Sequence, residues 1–179
     1  PGSDQEIAAI TPVWPGPARR LSSAEATETA VWGSEAGYEV VHYATHAVAD
    51  DRDPLASYIR LAPDARSDGL LHLSEIAATG RDQDLVVLSG CETQSGELYR
   101  GSGLMSLTRG FLVSGVRSVI ATQWPIGAAT APLMEEFYRR LAAGDDATAA
   151  LRRAQLRVRS DPATAHPFYW AGFVLHRRD

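Results

Sequence analysis

Cys91 and His46 are the two side chains of this sequence whose types could do covalent chemistry together. Cys91 is the single cysteine, and it follows Leu85-Val86-Val87-Leu88-Ser89-Gly90, an apolar run that stops at Ser-Gly. His46 closes a second β-prone run, Tyr38-Glu39-Val40-Val41-His42-Tyr43-Ala44-Thr45. A thiol attacks as its thiolate, and an imidazole beside it can take the proton and later return it to a leaving group. The two must converge in space, not in sequence. Chemistry in open α/β sheets collects beyond the carboxyl ends of the strands, where both residues are expected to lie. A lone cysteine without such a partner is by default a small, inert core residue. The position of His46 therefore decides between a reactive and an inert Cys91.

Other chemistries fit the residues less well. His42 and His46 are four apart, but Val40, Val41 and Tyr43 make the segment a strand, where that spacing separates the side chains by about 13 Å. One metal ion cannot bridge that gap, and Tyr43 stands where a metalloprotease motif would place its Glu. Gly101-Ser102-Gly103 precedes a helix as an anion cradle would, but no strand runs directly into it. Ser89-Gly90-Cys91 contains no G-x-S-x-G elbow. His72 and His166 lack a strand-end position and are expected to be surface or loop-packing residues. Asp50, Asp51 and Asp53 form a loop that follows His46 closely enough to rim a cleft. No cofactor or metal is expected.

The elements that must hold this pair are legible in outline. The four apolar residues Leu85 to Leu88 read as a strand buried on both faces, as in a parallel sheet. Ser118 to Trp124 reads the same way, and residues 57 to 62 alternate with period two as a half-exposed strand. Ser22 or Ser23 is expected to cap a helix ending near Gly33, and Ser74 to cap a short helix through Ala78. Leu104, Leu107, Phe111 and Leu112 fall on one helical face that Gly115 ends. Ala129 to Ala143 is amphipathic, with Leu133, Phe137 and Leu141 on one stripe. Asp145 or Asp146 caps a further helix with an Arg-rich exposed face, and Phe168 to Leu175 reads as a last strand whose aromatic residues are core. Strands alternate with helices, so the fold class is α/β, with a mostly parallel sheet of five or six strands covered by helices on both faces.

The 179 residues suit one domain, placed at residues 4 to 179, and Pro1-Gly2-Ser3 reads as the remnant of an expression tag. A net charge of -5 argues against a dedicated nucleic-acid or anionic-membrane surface. All 17 basic residues are Arg, which excludes Schiff-base chemistry and a P-loop lysine. One cysteine forms no internal disulfide, which fits a reducing, cytoplasmic setting. No apolar run reaches the 18 or so residues of a membrane span.

The segments His42-Tyr43-Ala44-Thr45-His46-Ala47, Asp84 to Gly96, Ala121 to Pro125 and His166 to Leu175 resemble, in order and spacing, successive motifs of the CHAT family, the caspase-like cysteine peptidases often joined to TPR repeats. The resemblance implies a caspase-like three-layer α/β/α sandwich and a cysteine endopeptidase, with Cys91 as nucleophile and His46 as general base and acid. It implies an oxyanion hole from the backbone amides of Cys91 and Ala47. Family members act as regulated effectors in signalling or defence, often under TPR or other sensor segments, on a protein or peptide substrate; this sequence carries the effector part. Two positions depart from the family pattern: the residue after the His is usually Gly and is Ala47, and the residue before the Cys is usually Ala and is Gly90. These keep open a non-catalytic interaction module with an inert Cys91. Ala47 suits the oxyanion role only at negative φ. Asp50 and Glu92, close in sequence to the pair, are expected to bind a basic substrate side chain. The polar loop Thr93 to Gly103 is expected to be the mobile, regulated element.

Overall fold

Three apolar runs build the sheet that carries the candidate pair. In the computed structural model, residues 2–34, 37–48, 50, 53–90, 102–124 and 130–178 are described, with the backbone alone at 2, 34 and 102–106. Strands β1 (Val40–Tyr43), β5 (Leu85–Leu88) and β6 (Ser118–Thr122) lie side by side and parallel, with Tyr43 level with Leu88 and Leu88 level with Ala121. Every residue of β5 and β6 is buried, which is why their sequences show no polar alternation. Strand order is β1-β5-β6-β7, with β7 at Phe173–Arg177. The flanking bonds, Gln123 N–H to Gly172 O at 2.8 Å and Arg178 N–H to Arg117 O at 3.0 Å, run β7 antiparallel to β6. Among the described residues the sheet has four strands, where five or six are expected from the sequence. The period-two segment went elsewhere: β2 (Ala47–Val48), β3 (Tyr58–Arg60) and β4 (Leu70–His72) form a separate antiparallel sheet.

The chain divides into two compact units, residues 19–121 with 176–179 and residues 1–18 with 122–175. In the first, α3 (Leu73–Ala78) and α4 (Ser102–Ser114) pack together, and Ile76, Leu107 and Phe111 join Tyr43, Ile59, Leu71, Val86 and Val119 in one core. Gly115 ends α4 at φ +123, as its place in the sequence implies. The caps differ from expectation. The 3-10 turn Ser23–Glu25 takes the serines, and Thr27 Oγ1 accepts from Ala30 N–H at 3.2 Å at the start of α2 (Glu28–Ser34). His72, not Ser74, heads α3, in a reciprocal capping box with Glu75. Strand β4 runs straight into the helix, so the cap falls on its last residue.

In the second unit the described regular elements are helices and 3-10 turns, with the end of β6 and the start of β7. Helix α5 (Thr130–Ala142) packs against α1 (Gly2–Ile10) on one side and α6 (Ala147–Arg159) on the other. Gly2 and Ser3, set aside in the sequence reading, belong to α1. The final strand begins at Phe173 instead of Phe168. Pro167 opens a 3-10 turn over Pro167–Tyr169, with His166 Nδ1 accepting from Phe168 N–H at 3.2 Å, and Phe168 is 45% exposed. Asp146 caps α6, its carboxylate accepting from Thr148 N–H at 2.8 Å and Ala149 N–H at 2.9 Å. Asp146→Ala removes the Oδ1 that accepts both bonds and is expected to cost about 1 kcal/mol, read as a fall of about 2–4 °C in melting temperature. An unchanged melting curve would show that water replaces the cap without loss.

Candidate active site

The parallel pairing of β1 and β5 sends both candidate segments off the same end of the sheet. Ala44-Thr45-His46 leaves β1 beside Ser89-Gly90 leaving β5. Ser89 joins the two exits: its N–H donates to Tyr43 O at 3.2 Å, and its hydroxyl lies 3.1 Å from His42 Nε2 and 3.4 Å from Tyr43 O. One step further, Ala47 N–H donates to Gly90 O at 3.1 Å. The other side of the His46 turn is held by β3. Arg60 N–H donates to His46 O at 2.8 Å, and Thr45 Oγ1 donates to Arg60 O at 2.7 Å. His46 is therefore a junction between the parallel sheet and the three-stranded one, with its side chain exposed. Backbone held on both sides fixes where an imidazole starts from, which is the first need of a catalytic base.

Gly90 has a steric reason to be glycine. A methyl built on it would overlap the carbonyl oxygen of Thr45, a backbone atom that no rotamer change moves aside. Ala47 lies in β2 with no left-handed backbone, so it needs no glycine, and it is 7% exposed within the core. Its amide, the one the resemblance assigns to an oxyanion, is directed at Gly90 O here.

Cys91, Glu92, Asp51 and loop residues 93–101 lie outside the described residues, and with them the expected approach of Cys91 to His46 and the expected mobility of the loop. Gly103 belongs to α4. Asp50 is half-buried, with its N–H donating to Ser57 Oγ at 3.0 Å and its Oδ1 accepting from Asp53 N–H at 3.0 Å. Asp53 in turn caps the 3-10 turn Pro54–Ala56. His42 bonds within the β1–β5 exit, and His166 caps its turn. Among the described residues no three His, Cys, Asp or Glu side chains are grouped to hold a metal ion, and no helix is long and apolar enough to cross a membrane. Sequence reasoning missed Ser89, Thr45 and Arg60 as positioning residues. Ser89 was within reach, being a hydroxyl at a strand end. Arg60 was not, because its backbone does the holding.

The hairpin that presents Arg60 is itself anchored. Leu61 N–H donates to Gly69 O at 2.7 Å, and Gly69 N–H donates to Glu28 Oε1 at 2.9 Å. Glu28 is 4% exposed and shares a cavity of about 430 Å3 with Trp32, Asp68, His72 and Glu75. Burial, then the Glu75 and Asp68 charges, push its carboxyl above the ordinary glutamate value, against the pull of the Gly69 N–H. The folded chain thus binds this proton more readily than the unfolded one. Stability from this group is greatest in acid and falls as pH rises through the raised value. Glu28→Gln keeps an acceptor for Gly69 and drops the charge. It is expected to raise the melting temperature at neutral pH, with the gain vanishing below about pH 4, where both states are neutral. A lower melting temperature at neutral pH would show that the charge itself holds Gly69.

A mostly parallel sheet whose adjacent strands β1 and β5 lead to the His46 turn and to Ser89-Gly90 is the α/β fold of the caspase-like class. The model of the CHAT domain matches residues 1–178, and the chain belongs to that family. It is similar to tetratricopeptide repeat protein 28 of Mus musculus and of Homo sapiens, 39% identical in each case over 92 residues, 51% of this chain. Those 92 residues cover 4% of the length of each of these relatives.

Proposed function

We propose that this chain is the effector module of a cysteine endopeptidase, with Cys91 as nucleophile and His46 as general base and acid. The observation that carries it is the 3.1 Å bond from Ala47 N–H to Gly90 O, which joins the residue after His46 to the residue before Cys91. In the proposed cycle His46 takes the thiol proton, and the thiolate attacks the substrate carbonyl carbon. His46 returns the proton to the leaving amine, and the C–N bond breaks to leave a thioester. Water, deprotonated by His46, then attacks the thioester, releases the acid and restores the thiol. Asp50 and Glu92 are proposed to favour a basic side chain before the cleaved bond, as a charge-assisted pair. A sensor segment, such as the tetratricopeptide repeats in the relatives' name, is proposed to regulate the module.

One observation favours a second reading, a non-catalytic interaction module with an inert Cys91. The Ala47 amide already has an acceptor in Gly90 O, and an oxyanion would have to displace it. Peptidyl electrophiles carrying Arg, Asp or Leu before the reactive group separate the readings. Rapid labelling of Cys91, fastest with the Arg compound, is the expected result. Labelling no faster than that of a free thiol would support the inert module, and a preference for Asp or Leu would remove the assigned role of Asp50 and Glu92.

A further inference from the structure

Within residues 122–175, a groove of about 400 Å3 lies between α6 and the start of β7, lined by Leu151, Gln155, Trp170 and Val174 among others. Gln155 Nε2 donates to Phe173 O at 2.9 Å and fastens helix to strand at its base. Arg152 and Arg159 are seven residues apart, hence on one face of α6 and about 10 Å from each other along the axis. Arg152 lines the groove, and the Arg159 guanidinium lies 5.7 Å over the ring of Trp170. Leu156, between them in the sequence, is 48% exposed. Arg153 is paired with Asp145 at 3.3 Å, whereas among the described residues no carboxylate pairs with Arg152 or Arg159. A chain of net charge -5 thus holds, beside an apolar hollow and an exposed leucine, two guanidiniums with no ion pair among the described residues.

We propose that this groove docks an acidic segment of a partner protein, with one apolar side chain in the hollow and a carboxylate on each of Arg152 and Arg159. The arginine fork matches a carboxylate with two parallel bonds, which gives direction as well as attraction. Arginine clusters beside a pocket are a recurring way of reading acidic motifs. A nucleic acid is a poorer match, since its affinity comes from many phosphate contacts along a basic track and this face offers two cations around an apolar floor. The inference is independent of the chemistry assigned to Cys91.

Fluorescence anisotropy with labelled peptides of about twelve residues tests it, each peptide holding one Leu, Ile or Phe between Glu pairs, with the Gln versions as controls. Saturable binding in the micromolar range is expected for at least one acidic peptide, weakening with salt, and none for its Gln version. Arg152→Glu and Arg159→Glu should each weaken it about tenfold or more, and Arg152→Gln and Arg159→Gln less, with melting curves showing that the fold survives. Arg109→Glu, an exposed reversal on α4, should change affinity less than about twofold. No saturable binding up to about 1 mM would overturn the proposal. So would an equal loss in Arg109→Glu, or tighter binding of a single-stranded oligonucleotide or an anionic vesicle that displaces the peptide.

Discussion

His46→Ala is expected to slow alkylation of Cys91 by a small reagent about 30-fold at neutral pH, because an unassisted thiol of pKa near 8.5 is only about 3% thiolate there. Turnover of a peptide should fall further, by about a thousandfold or more, since the variant would also lose the acid proposed to protonate the leaving amine. The two effects separate by pH. Alkylation by the variant should recover above about pH 9.5, where the thiol ionises unaided, whereas peptide turnover should not. A wild-type alkylation rate in His46→Ala at neutral pH would sink the dyad. A loss that persisted in alkali would mean instead that the substitution had disturbed the Thr45–Arg60 and Ala47–Gly90 bonds that hold the turn.

Gly90→Ala should be the most damaging single methyl at the site. The added carbon meets the Thr45 carbonyl, and Thr45 cannot retreat freely: its hydroxyl is bonded to Arg60 O, and the next carbonyl, of His46, to Arg60 N–H. Overpacking against fixed backbone costs about 2–3 kcal/mol, which for a chain of this size is a fall of about 4–12 °C in melting temperature. Relief would have to come from separating the β1 and β5 exits, so the Ala47–Gly90 bond should break and the alkylation rate of Cys91 should change as well. Ala is the usual residue before the family's cysteine, which makes the result diagnostic. A variant that melts within about 1 °C of the parent would mean that the two exits do not meet as closely as described.

The part of this protein that its sequence determined alone is local. Leu85 to Leu88 has no polar residue to turn towards water, so the run had to be a strand covered on both faces. Asp145 or Asp146 had to be a helix start by an acceptor at the right offset, of which the fold uses Asp146, and Gly115 had to be a helix end by a backbone open to a left-handed turn. Cys91 and His46 read as a candidate pair by type and by their places after β-prone runs, and Cys91 lies outside the described residues. Tertiary structure decided everything that depends on which segments meet. The β1–β5 pairing joins residues more than 40 apart, and no local propensity carries that choice. The run from His46 to His72 left the main sheet because β2 pairs with β3 and β3 with β4, which also moved the cap of α3 from Ser74 to His72. Phe168 to Trp170 reads as strand from its aromatic side chains, yet Pro167 donates no N–H and holds φ, so a turn forms and the strand waits until Phe173. Gly90 and Arg60 act through backbone atoms, which every residue shares. Their importance appears only when Thr45 and His46 are brought against them.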